Sequence, residues 1–333
     1  MKKILALLLA LWIPAAVLSG CAPQDDSAAS NKLNIVTTIF PAYDWVREIL
    51  GDETDRAEIT TLLDSGVDLH SYQPTVDDIV KISECDLFLY VGGESDGWVD
   101  DALKNAPNKD RKVIRLLDVL GDSAKAEETV AGMQEEEHDH EEEEHGHEEE
   151  AEYDEHIWLS LKNAQVLVAA ISEALQETDP ARKDTYAANA AAYAEKLSAL
   201  DGEYRAAVDS GKYKTLLFGD RFPFRYLADD YGLDYYAAFP GCSAETEASF
   251  ETVSFLAGKM DALGLPCVLT IEGTQHKIAE TIVQNTAQKN QQILTMDSMQ
   301  AVTANDASSG VSYLSIMEKN LSVLKKALGQ EAE

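Results

Sequence analysis

The seven histidines of this chain are unevenly placed: four of them, His138, His140, His145 and His147, fall within one acidic stretch running from Gln134 to Glu155. Imidazoles in His-x-His pairs among carboxylates can wrap borderline-soft divalent ions without a preformed cage. A run of this charge density is otherwise a solvated, disordered loop, and its backbone is expected to be one. Ordering it around an ion costs chain entropy, so these histidines are expected to bind metal more weakly than a closed site would. His70 and His156 stand in different surroundings. His70 lies between Gly66 and Pro74 at a strand-to-helix junction, where α/β folds project side chains into a crevice. His156 follows the acidic stretch and precedes Ile157-Trp158-Leu159, whose burial anchors it on one side. A single imidazole is ordinarily a surface or core residue, so a metal role for either rests on its company.

That chemistry is expected to operate outside the cytoplasm. Met1-Lys2-Lys3 followed by the apolar run Ile4 to Leu18 has the layout of a secretory signal and is short for a membrane span. It ends in Leu18-Ser19-Gly20-Cys21, which resembles a bacterial lipobox, so residues 1–21 read as a lipoprotein signal with Cys21 as the acylated residue. Residues 22–32, rich in Ser, Ala, Asp, Asn and Pro, read as a flexible tether. The formal charge of −33, from 60 acidic and 27 basic side chains, argues against nucleic acid as a partner and gives no attraction to anionic lipid. The acyl group on Cys21 is then what holds the chain to the bacterial cell membrane. Cys85, Cys242 and Cys267 remain, and an odd number leaves at least one thiol unpaired in an oxidising compartment. Cys85, in an apolar stretch reaching Tyr90, reads as a buried core residue; a Cys242–Cys267 bridge stays open.

About 310 residues remain after cleavage, enough for two medium lobes with real cores. The patterning alternates strand and helix. Leu33 to Thr38, Ile59 to Leu63 and Asp86 to Val91 read as strands, with helices over Tyr43 to Leu50 and Val76 to Ile82. Asn163 to Glu177 reads as a helix, and Asp179-Pro180 punctuates. The Ala-rich stretch from Ala181 to Ala207 reads as one long helix of about 40 Å, a stiff connector. A second series follows, with strands at Thr215 to Phe218, Tyr235 to Phe239, Val268 to Ile271 and Ile293 to Met296. Helices are expected over Phe222 to Tyr231, Phe250 to Leu263, Lys277 to Thr286 and Val311 to Leu328. The fold class is α/β with mostly parallel sheets. The lobes are expected at 33–178, including the 134–155 loop, and 211–333, joined by a helix within 179–210. No sequence repeat relates the halves.

Three motifs together resemble a known family: Ile35-Val-Thr-Thr-Ile-Phe-Pro-Ala-Tyr-Asp44, Asp68-Leu-His-Ser-Tyr-Gln-Pro-Thr75 and His156-Ile-Trp-Leu-Ser160. They look like the zinc/manganese substrate-binding lipoproteins of ABC transporters, and the similarity runs from about Leu33 to Leu328. The resemblance implies two Rossmann-like lobes joined by a long rigid helix, one metal in the cleft between them, and an ABC transporter permease as partner. It implies His70 and His156 as ligands. The family's third ligand, a His or Glu after the first strand of the second lobe, has no counterpart in Phe218-Gly219-Asp220-Arg221-Phe222-Pro223. Arg221 falls at the position in a gapless alignment but cannot bind a cation; Asp220 is the preferred oxygen donor, with capping of the next helix as its alternative role. Asp297 matches the family's C-terminal carboxylate. Glu247, in a segment resembling a loop that borders the cleft, Glu272, after a strand, and His276, opening a helix, are lesser candidates.

Two imidazoles and two carboxylates suit a zinc tetrahedron and also manganese. The imidazole-rich loop favours Zn2+ over Mn2+ as the transported ligand. A manganese-specific relative, a metal-dependent surface adhesin and a passive zinc buffer are the competing readings. A metallohydrolase would need a general base beside the metal, and neither His-Glu-x-x-His nor Gly-x-Ser-x-Gly occurs. The chain is therefore expected not to be an enzyme, and to act as a monomer.

Overall fold

A computed structural model describes residues 32–104, 106–134, 152–243, 247–273 and 276–330. The first half runs β1 (Leu33–Thr37), α1 (Phe40–Leu50), β2 (Ala57–Thr61), α2 (Val76–Glu84), β3 (Leu87–Tyr90), α3 (Val99–Lys104), β4 (Lys112–Arg115) and α4 (Leu116–Leu120). Two long helices follow, α5 (Leu161–Thr178) and α6 (Lys183–Ser210). The second half runs β5 (Thr215–Arg221), α7 (Arg225–Tyr231), β6 (Asp234–Phe239), α8 (Phe250–Leu263), β7 (Cys267–Thr270), α9 (Lys277–Asn285), β8 (Gln292–Thr295), α10 (Ala304–Ser308) and α11 (Tyr313–Ala327).

Each half builds a four-stranded sheet, in the orders β2-β1-β3-β4 and β6-β5-β7-β8, and every pairing is parallel. The two orders are the same, so the halves repeat a topology without repeating a sequence. In the second sheet the two-residue alternation of strands shows directly which face each side chain takes. Leu216, Phe218, Cys267 and Leu269 join the main core, while Leu217 and Val268 point to a smaller core beneath α8 and α9. Burial on both faces is what a parallel sheet requires. β4 carries no apolar alternation, because it is an edge strand with mostly exposed side chains, and for that reason it is not evident in the sequence.

The connector is longer at its C-terminal end than the Ala-rich stretch suggests. Along α6 the buried residues Tyr186, Ala190, Tyr193, Leu197, Leu200, Tyr204 and Ala207 recur at alternating spacings of four and three. That rhythm is the seam of packed helices, and α6 lays it against α5, α1 and α11. The helix therefore belongs to the core and is not a free strut. The described residues from Lys32 onward form one compact unit.

Several contacts tie the halves together. Tyr204 donates its hydroxyl to the Met317 carbonyl at 2.6 Å, and Trp158 Nε1 donates to the Ser298 carbonyl at 2.8 Å. Asp44, 2% exposed, accepts from the Tyr313 N–H at 2.8 Å at the start of α11. Burial, with a smaller contribution from Glu48, raises the Asp44 carboxyl from 3.8 to about 6. Its contribution to stability is thus fully present below pH 3.8 and lost as pH rises through about 6. Asp44→Asn keeps an acceptor for Tyr313 and removes the buried charge. It is expected to be more stable than the native chain above pH 6 by on the order of 3 kcal/mol, with the gap closing towards pH 4. Urea unfolding at the two ends of that window checks this.

Among the described residues no helix is long and apolar enough to cross a membrane. Cys21 and residues 1–31 lie outside the described residues, as do His138, His140, His145 and His147.

Candidate metal centre

His70 sits in a single tight turn, Leu69–Ser71, between β2 and α2. The turn is capped by Asp68, whose Oδ1 accepts from the His70 N–H at 3.0 Å, and is pinned by Leu69, which is buried. Gly66, at φ 75°, supplies the left-handed residue that brings the chain round to it. His156 opens the buried turn Ile157–Leu159, so the apolar triad holds its backbone as the sequence implied. The two rings meet with His70 Nε2 and His156 Nε2 3.3 Å apart.

The far side of each ring decides what those nitrogens can do. His156 Nδ1 lies 3.0 Å from Asp154 Oδ1, which also accepts the His156 N–H. His70 Nδ1 lies 2.8 Å from Ser95 Oγ and 3.5 Å from Glu155 Oε2. Glu155 is itself fixed by accepting the Ser95 N–H at 2.8 Å; it is buried, and Oε2 has no hydrogen-bond partner. The Asp154 carboxylate at His156 Nδ1, and the Ser95 hydroxyl with Glu155 close by at His70 Nδ1, suit the tautomers with Nδ1 protonated and the Nε2 lone pairs facing each other. Burial, followed by repulsion from His156, holds His70 down at about 3. His70 is therefore a neutral donor at ordinary pH. Two facing lone pairs repel unless a cation lies between them. Nitrogens about 2.0–2.1 Å from a tetrahedral zinc stand roughly 3.3 Å apart, which is the separation observed.

The other expected ligands are distributed as follows. Asp220 lies within β5, which continues to Arg221 through a register shift after Phe218. Its carboxylate accepts from the Arg221 N–H at 3.0 Å and the Ile271 N–H at 3.4 Å, joining the ends of β5 and β7. It does not cap the following helix, whose N-cap is Phe224 without a side-chain bond. Arg221, in the second half, pairs with Asp68 in the first and donates to the Ser243 carbonyl at 3.4 Å. Although burial pushes Asp68 up, Arg221 beside it holds that carboxyl below its usual range.

Asp297 follows β8 and accepts from the Met299 N–H at 2.8 Å. Burial, then the charge of Glu272, raises it to about 6. Glu272 accepts from the Ser298 N–H and hydroxyl, both at 2.6 Å, and from the Gln300 N–H at 3.1 Å. It thereby shapes a turn strained at Met299, whose φ is 67°. Glu247 is exposed, and its carbonyl accepts from Gln134. His276 is half-buried near Asp220, and its Nδ1 has no hydrogen-bond partner.

Two residues beside the histidines were not anticipated as site residues. Gln300, 7% exposed, brings its amide nitrogen to 3.3 Å from His156 Nε2, and its Oε1 is buried without a partner. Cys242, just after β6, forms with His70 and His156 the one group of metal-capable side chains among the described residues whose donor atoms all lie within 4.8 Å of one another. Asp220, Glu272 and Asp297 are not in that group. Cys85, Cys242 and Cys267 are all free thiols, so the bridge left open by the sequence is not formed.

The family profile described as zinc-uptake complex component A, periplasmic (ZnuA), matches residues 35–327. The zinc-binding lipoprotein AdcA of Streptococcus pneumoniae serotype 4 is 33% identical over 331 residues, covering 99% of this chain and 62% of AdcA. The chain thus spans about three-fifths of the length of that relative. The high-affinity zinc uptake system protein ZnuA of Bacillus subtilis is 30% identical over 298 residues, covering 90% and 88% of the two chains. The crystal structure of the Zn(II)-bound ZnuA-like domain of S. pneumoniae AdcA superposes with a TM-score of 0.68 at 29% identity, covering 90% of this chain and 100% of that domain. With the profile spanning nearly all of the two lobes, this chain belongs to the ZnuA family of zinc-uptake components.

Proposed function

We propose that this chain captures Zn2+ outside the cytoplasm and passes it to an ABC importer, with His70 and His156 as the nitrogen donors. The observation that carries this reading is the pair of Nε2 atoms 3.3 Å apart, each ring backed by a buried carboxylate. Imidazole donors favour zinc over manganese. Asp297 is the proposed carboxylate contributor, since it follows β8 and accepts the Met299 N–H in the turn whose next residue, Gln300, faces His156. No catalytic step is assigned. The acyl anchor on Cys21, a monomeric state and metal binding by His138, His140, His145 and His147 belong to the same proposal. Release follows from local movement, since α6 is packed into the core and resists a wide hinge. The Asp68–Arg221 pair joins the two halves two residues from His70, so prying it apart would disturb the ligand loop.

Removing the acidic loop separates a carrier from a passive buffer. The deletion should span residues 135–151, because Gln134 accepts from the Ser249 N–H and Asp154 supports His156. A carrier keeps one tight zinc equivalent and loses only the weaker ones. Loss of nearly all binding in a folded protein would identify the buffer instead.

A further inference from the structure

We propose that the Cys242 thiolate joins His70 Nε2 and His156 Nε2 as a protein donor to the metal, alongside the Asp297 carboxylate already proposed. This rests on the zinc-capture reading and adds a ligand from the loop after β6, in place of the imidazole that the family resemblance leads one to expect on β5. The three donor atoms already lie within 4.8 Å of one another. A tetrahedral zinc with Zn–N near 2.05 Å and Zn–S near 2.3 Å needs nitrogen and sulfur roughly 3.6 Å apart, a closure within reach of side-chain rotation.

The loop around Cys242 is held against the histidines from several sides. The Cys242 N–H donates to Glu127 Oε1 at 2.9 Å, and the Ser243 carbonyl accepts from Arg221. At Gly241 a Cβ would stand 2.9 Å from the Phe222 carbonyl and 3.2 Å from the His156 ring. Only glycine lets the backbone come so near the ligand, and the next side chain is then the thiol. The candidates on β5 are otherwise engaged. Arg221, at the position of the missing imidazole, is a permanent cation turned to Asp68, and both Asp220 oxygens accept backbone N–H groups. A second sign of a ligand is Gln300, whose buried Oε1 has no partner while its amide nitrogen faces His156 Nε2.

Binding converts the thiol to a thiolate as the Zn–S bond forms, and the proton leaves to the solvent buffer. The soft sulfur discriminates against manganese, which prefers oxygen, and favours zinc and its heavier congener cadmium.

Cobalt substitution of the full mature chain tests this, because a cobalt–thiolate bond gives an intense charge-transfer band in the near ultraviolet that nitrogen and oxygen ligands do not. The band is expected in the native chain and in Cys267→Ala, and is expected to vanish in Cys242→Ser. Zinc affinity in Cys242→Ser should fall about 100-fold or more. Absence of the band in native protein loaded with one cobalt would overturn the proposal, and so would native zinc affinity in Cys242→Ser. If Cys242→Ser does not fold, the native spectrum alone decides. His156→Ala distinguishes the two levels of failure: with zinc binding lost there but unaffected by Cys242→Ser, the capture reading survives and the thiol does not.

Discussion

His156→Ala is expected to lower zinc affinity by about three orders of magnitude or more while leaving the metal-free fold in place. His156 is wholly buried, its Nδ1 is committed to Asp154, and its Nε2 faces His70 and Gln300. Removing it takes away a donor and leaves the Asp154 carboxylate without its imidazole partner. Loss of an outer-shell partner alone typically costs 10–100-fold in metal affinity, and loss of a direct ligand should cost more. Asp154→Asn is the graded companion: it weakens the bond that orients the ring and should fall within that 10–100-fold range. Calorimetric zinc titration of the loop-deleted protein checks both variants without interference from residues 135–151. Unchanged affinity in His156→Ala would remove it from the site.

The largest effect on stability is expected at Trp158, the residue that packs the ligand turn against the second half. Its ring is 1% exposed and lies 5.4 Å from the His156 ring. Its indole N–H donates to the Ser298 carbonyl, and the Trp158 carbonyl accepts from the Tyr313 hydroxyl at 2.7 Å. Trp158→Ala opens a cavity and orphans the Ser298 carbonyl, which should cost about 3–5 kcal/mol in denaturant unfolding of the metal-free chain. Trp158→Phe keeps most of the ring and should recover the greater part of that loss, leaving roughly 1–3 kcal/mol for the unpaired carbonyl and the missing atoms. Since Ser298 leads into the Gln300 turn, zinc affinity should weaken in Trp158→Ala as well. A loss below about 1 kcal/mol would show that the wedge contributes little.

What the sequence made legible was local. His70 and His156 carry their own signposts, a glycine and a proline round one and an apolar triad after the other, and both lie where those signposts place them. The strand-helix alternation was readable because parallel strands buried on both faces leave short apolar runs. The edge strand β4 leaves none, and it went unassigned. What could not be read was assembled by tertiary closure. Ser95, Gln300 and Cys242 reach the histidines from turns far along the chain, and nothing in their own neighbourhoods marks them. Cys242 had one signal, a Pro240-Gly241 turn directly after a strand in the cleft-forming half. In the sequence that cysteine reads only as a bridge candidate. The preference for Asp220 in the sequence depends on a strand that ends at Phe218. The strand in fact continues through Arg221 with a shift in register, and backbone N–H groups take up the carboxylate.

One zinc ion is expected between His70 and His156. The anomalous-difference map of zinc-loaded crystals, measured at the zinc absorption edge, tests it most directly. The strongest peak is expected between the two Nε2 atoms, about 2.0–2.1 Å from each, with Asp154 and Glu155 still behind the rings. A strongest peak elsewhere, with His70 Nε2 and His156 Nε2 left unliganded, would contradict it.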